Sequence, residues 1–73
     1  FGIDSVELYL FEARKLLQQG KFIAAIVPAK KAVDIDNNNG EAWYVLATAQ
    51  GFATQIEASK HSFAKAAELG YQP

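Results

Sequence analysis

Few side chains in this sequence could do chemistry. There is one histidine and no cysteine among 73 residues, so thiolate catalysis, a disulfide framework and a cysteine or histidine-rich zinc site are all excluded. His61, the only imidazole, follows Glu57 by one helical turn and lies among Lys60 and Ser62. That setting reads as a solvated Glu–His pair rather than as a base aimed at a nucleophile. Asp34, Asp36 and Glu41 flank the polar run Asn37-Asn38-Asn39-Gly40. They lack the alternating oxygen spacing of an EF-hand loop and read as helix-end caps and dipole partners. No glycine-rich phosphate cradle is spelled. With no nucleophile, base and orienting group in register, the chain is expected not to be an enzyme and to hold no metal and no cofactor.

The formal net charge is -1, with both signs interspersed. No basic footprint for phosphate backbones or anionic lipid is present, so nucleic acid is not an expected partner. The longest apolar stretch, Phe22 to Val27, stops at Pro28 and is far short of a bilayer span, and no signal-peptide pattern precedes it. Membrane insertion is not expected. Absence of cysteine fits oxidising and reducing compartments alike, which leaves the compartment open, with a soluble, cytoplasmic setting marginally favoured. The sequence contains no methionine and opens on Phe1, and it is therefore expected to be part of a longer protein.

What remains as candidate chemistry is surface, and helices must position it. Alanine, leucine, lysine, glutamate and glutamine dominate, which favours helix at most positions. The first helix is predicted from Ser5 to Gln18, with Asp4 and Glu7 as reciprocal caps and Gly20 as the left-handed stop. A second runs from about Lys21 to Ile35 and ends in the asparagine-rich turn. A third spans about Asn39 to Phe52, capped by Asn38 with Glu41, and a fourth follows a Thr54–Glu57 capping box and reaches Leu69. Such short connections force sequential helices to pack antiparallel. Pro28 predicts a bend in the second helix, or else a later start for it, because proline removes the bond to the Ala24 carbonyl.

The chain also matches itself at a shift of about 34 residues. Asp4 and Glu7 fall on Asn38 and Glu41, Tyr9 on Trp43, Ala13 on Ala47, and Phe22 on Ile56. Ala25 falls on Ser59, Lys31-Ala32 on Lys65-Ala66, and Ile35 on Leu69. Small residues meet small ones and large apolar residues meet large ones, as two copies of one helix pair require. Ala13 and Ala25 would let the paired backbones approach closely, with Tyr9 and Phe22 filling the space beside them.

The stretch from Gly20 through Phe22, Ala25, Ala32 and Ile35 to Glu41, Trp43, Tyr44, Leu46 and Ala47 resembles the tetratricopeptide repeat. The resemblance implies an all-α fold of two tandem helix-turn-helix units, four antiparallel helices forming a short right-handed solenoid segment. It places a lead-in at residues 1–5, one unit at 6–39 and a second at 40–73. It departs from the family at Glu12, where a large apolar residue is usual, at Gln50 (tyrosine-like), at Thr54 (glycine), and at Asn37 and Tyr71 (proline).

On the third helix, Trp43, Leu46, Ala47 and Gln50 form the stripe expected to face the fourth, which leaves Tyr44, Thr48 and Phe52 as a second stripe at helical spacing. In tetratricopeptide-like proteins the first helix of each unit lines a concave groove. The matching residues of the first unit are Leu10, Arg14 and Leu17. The resemblance thus implies a protein–protein interaction module that takes a peptide or partner helix on these six residues. The alternative reading is structural: a fragment of a longer helical array, or a homo-oligomer, whose apolar faces are covered by neighbouring repeats.

Overall fold

The computed structural model describes residues 4–73 as an all-helical chain, with no strand among them. Of the lead-in expected at 1–5, residues 1–3 lie outside the described residues, and Asp4 and Ser5 already belong to the start of a helix. The elements are α1 (Ser5–Gln18), α2 (Phe22–Ile35), α3 (Gly40–Phe52) and α4 (Ile56–Glu68). The central α3 packs against all three others, α1 also packs against α2, and α4 touches α3 alone.

Apolar spacing decides which face each helix buries. In α1 Val6, Leu10 and Ala13 are buried and Leu17 packs against the same cluster, a stripe that recurs every three to four residues. Asp4 caps this helix by accepting from the Val6 amide at 3.0 Å. Glu7 sits in the first turn, where its charge favours the amide end of the helix dipole, and makes no return bond to the cap. The α3 cap is Asn39, one residue later than expected, its side chain accepting from the Ala42 amide at 3.1 Å. Asn38 is occupied otherwise: its own amide donates to the Asp36 carboxylate at 3.1 Å, which tightens the loop into an Asx turn.

Thr54 does not cap α4 either. Its hydroxyl donates to the Ala53 carbonyl at 2.6 Å, and the helix begins beyond it, after Gln55, which makes no side-chain cap bond. What Thr54 does is end α3. The Thr54 amide donates to Gly51 O and the Gln55 amide to Gln50 O, at 3.1 and 2.8 Å, with Thr54 at φ 66°. That is the paired closure in which a left-handed residue satisfies the last free carbonyls of a helix. Gly20 closes α1 in the same way, its amide donating to Leu17 O and that of Lys21 to Leu16 O, with φ 76°. Gly70 repeats it at the end of α4, at φ 81°. Two of these three sites carry the residue that the left-handed region favours, and the third carries a β-branched side chain.

Helix α2 runs unbroken through Pro28 and begins at Phe22, so a later start is ruled out. Pro28 is buried whereas Ala24, whose carbonyl loses its partner, is exposed, so water can satisfy the freed oxygen. Around these helices the core is built from small side chains. Ala13, Ala25, Ala29, Ala32, Ala42, Ala47 and Ala49 have no accessible surface at all. Val6, Leu10, Val33, Val45 and Leu46 supply the larger buried groups.

A left-handed conformation costs a residue with a Cβ about 1–2 kcal/mol. Thr54→Gly is therefore expected to stabilise the fold by about 1 kcal/mol, raising the Tm by about 4–8 °C at this chain length. Gly20→Thr should lower it by a similar amount. Thermal unfolding of both variants followed by circular dichroism checks the pair, and an unchanged or lower Tm for Thr54→Gly would contradict the account.

Candidate functional site

The stripe expected on α3 is present on its surface. Tyr44, Thr48 and Phe52 line one shallow open crevice with Ala47, Gly51 and Phe63. Backbone spacing brings the three together because residues four apart stack along one face of a helix. The Thr48 hydroxyl is held to its own helix, donating to Tyr44 O at 2.9 Å, so that donor is already used within the helix.

Aromatic neighbours fix the two ends of the stripe. Tyr44 meets the edge of Phe63 at 5.5 Å between centroids and the tilted ring of Tyr71 at 5.3 Å. Phe52 stacks on Phe22 at 4.8 Å, yet 61 % of its surface stays exposed. Such pairs add about 0.5–1.5 kcal/mol beyond area burial. Tyr44 is half-buried among its neighbouring rings, whereas Phe52 leaves most of its surface open to a partner.

The three matching residues of α1 do not form one surface with this stripe. Leu10 is 3 % exposed and belongs to the core, which leaves little of it to offer a partner. Leu17 packs against that core from the side. Arg14 is exposed but engaged, its guanidinium paired with the Glu41 carboxylate at the start of α3. This ion pair lies beside Glu7, Leu10 and Phe11, in a separate crevice from the one containing Tyr44. Glu41 reaches across to α1 instead of back to its own cap.

Phe63 and Phe22 were not among the expected residues. Phe63 stands 34 residues after Ala29, so the internal shift pairs a methyl with a ring there and gives no sign of its place in the crevice. Phe22 was placed beside the helix seam, where it has a different role as the platform for Phe52.

The other face of α3 meets α4 largely as expected. Ser59 donates to Ala47 O at 2.9 Å and Ser62 to the Gln50 side-chain oxygen at 2.7 Å, so both buried hydroxyls are satisfied. The positions 34 residues before Gln50 and Ser62 are Leu16 and Pro28, which line a crevice between α1 and α2. A polar contact thus joins α3 to α4 at positions where α1 and α2 present apolar side chains. Leu46 differs from expectation in joining the central cluster with Val33 as well. Trp43 donates its indole N–H to Asn37 O at 2.8 Å and meets the His61 ring edge-on at 6.1 Å. Glu57 pairs with Lys60 at 3.7 Å and not with His61.

No group of three or more histidine, aspartate or glutamate side chains is placed to hold a metal ion among the described residues. No helix among them is long and apolar enough to cross a membrane. No family model, no curated protein and no solved structure matches the chain.

The floor beside Tyr44 depends on Gly40. A Cβ at this position would come within 2.6 Å of the Tyr71 Cβ, which is too close for either atom to stay in place. Gly40→Ala is expected to destabilise the fold by about 1–3 kcal/mol through overpacking, even though alanine is the better helix former. In a double-mutant cycle with Tyr71→Gly most of that loss should vanish. Urea unfolding of the four chains measures the coupling, and simple additivity would show that the clash is not the cause.

Proposed function

We propose that the chain is a tetratricopeptide-type interaction module that holds a peptide or partner helix along the α3 face of Tyr44, Thr48 and Phe52, and that it performs no catalysis. The observation that carries this reading is the open crevice itself, in which two anchored aromatic rings and Thr48 lie in line. A surface of that composition suits an amphipathic helix or an extended apolar segment. Buried aromatic anchors supply most of the energy in interfaces of this kind.

Support for the repeat reading comes from matched positions. Ala13 and Ala47 are both wholly buried, Ala25 and Ser59 are both buried, and so are Ala32 and Ala66. Gly20 and Thr54 close their helices with the same pair of hydrogen bonds. Two helix pairs, α1 with α2 and α3 with α4, joined through α2 and α3, account for the observed order of packing.

A second reading, that the chain is a structural or self-associating piece of a helical array, is favoured by a different observation. Leu8, Phe11, Ile23, Val27, Ile56 and Phe63 are all exposed, a large apolar display for so small a domain.

Affinity capture with the wild-type chain beside a Tyr44→Ala, Phe52→Ala double variant tests the first reading. Circular dichroism must show the variant still helical. Loss of two aromatic anchors is expected to weaken a retained partner by about 2 kcal/mol or more, roughly 30-fold. Equal capture by both chains would remove the α3 face from consideration.

A further inference from the structure

Positions matched by the internal shift fall into two groups. Ala13 and Ala47, Ala25 and Ser59, and Ala32 and Ala66 are buried in both halves. Those that pack between the pairs are not. On α2, Ala29 and Val33 are 0 % and 5 % exposed and share one cluster with Ala42 and Val45 of α3, at 0 % and 4 %. The α4 residues that match Ala29 and Val33 are Phe63 and Ala67, and both are exposed, Phe63 at 42 %. The α1 residues that match Ala42 and Val45 are Leu8 and Phe11, exposed at 44 % and 64 %. Ile56, the match of the half-buried Phe22, is also exposed, at 52 %.

Both halves of the α2–α3 interface therefore recur uncovered on one molecule. One lies on α4 and the other on α1, two helices that do not touch each other. We infer that the chain associates head to tail with a second copy of itself, the Leu8–Phe11 face of α1 seating on the Ile56–Phe63 face of α4 as α3 seats on α2. A second copy is the occupant argued for because the pairing that joins α2 to α3 within the chain would join α4 of one copy to α1 of the next, with Leu8, Phe11 and Phe63 in place of the smaller Ala42, Val45 and Ala29, so the two helices would lie farther apart than α2 and α3 do. The inference rests on the two-unit repeat and not on the Tyr44 face as a partner site.

Charge sets the strength. Glu12 stands where α3 has the buried Leu46, Lys15 where it has Ala49, and Lys60 where α2 has the half-buried Ile26. Each would lose hydration at the new contact without an assured partner, so the association is weak and reversible. The contact is also heterologous, with each copy using a different face, so it propagates into chains or closes into a ring.

Sedimentation velocity across a wide concentration range tests this, using wild type, Phe11→Lys and Phe63→Lys. The wild-type sedimentation coefficient is expected to rise with concentration. Each variant alone should stay monomeric, because one of its two faces is blocked, while an equimolar mixture should form a dimer through the two intact faces. Glu12→Leu, which restores the apolar residue of α3, should associate at least tenfold more tightly than wild type. Circular dichroism confirms that the variants fold. Wild type and Glu12→Leu both monomeric at millimolar concentration would overturn the inference. So would single variants that still associate, or a mixture no larger than its components. Partner capture by Phe11→Lys, whose substitution lies away from the Tyr44 crevice, shows separately whether the α3 reading stands.

Discussion

Seven alanines without accessible surface set the distance at which these four helices can lie from one another. A methyl side chain lets two helix axes approach to the short end of the range of about 8–10 Å seen for packed helices. Enlarging any one of these groups by a few carbons would push backbone against backbone, at a cost of about 1–3 kcal/mol each. The close seam leaves no room inside for phenylalanine. All the rings that the sequence holds in its described part lie at the surface or half out of it, which is why the molecule has an aromatic outer face to offer at all.

The same seam tolerates substitution where the chemistry is rebalanced. Ser59 takes the place of an alanine because its hydroxyl reaches the Ala47 carbonyl, and Ser62 is matched by Gln50 across the helix pair. A hydroxyl buried without a partner would cost more than the alanine it replaces. Hydrogen bonds between α3 and α4 thus stand where α1 and α2 carry apolar side chains. Helix α4 touches α3 alone, whereas α2 touches both α1 and α3, so those bonds lie on the single face that holds α4.

Element positions were legible from residue types because alanine-rich, well-punctuated helices obey local rules. Gly20 and the Asp36–Asn39 turn marked boundaries within a residue or two. The caps were less legible, and for one reason. Several side chains able to cap compete at each loop, and tertiary geometry chooses among them: Asn39 over Asn38, and a left-handed Thr54 in place of a capping one. The candidate site was half legible. Helical spacing alone brought Tyr44, Thr48 and Phe52 into line. Spacing within one helix could not tell that Leu10 points into the core, or that Phe63 and Phe22 come from other elements to frame the stripe. Those facts depend on how helices rotate about their axes when packed.

Trp43, the only tryptophan, lies near the start of α3. Its indole N–H is tied to Asn37 in the loop from α2, while its ring meets His61 on α4. Indole emission depends on that hydrogen bond and on the exposure of the ring, so one intrinsic fluorophore reports on how α3 meets the preceding loop and α4. Backbone ellipticity, by contrast, averages over all four helices. The molecule thus carries a built-in optical gauge: fluorescence that changes before helicity is lost would mean that α3 parts from that loop or from α4 while the helices themselves persist.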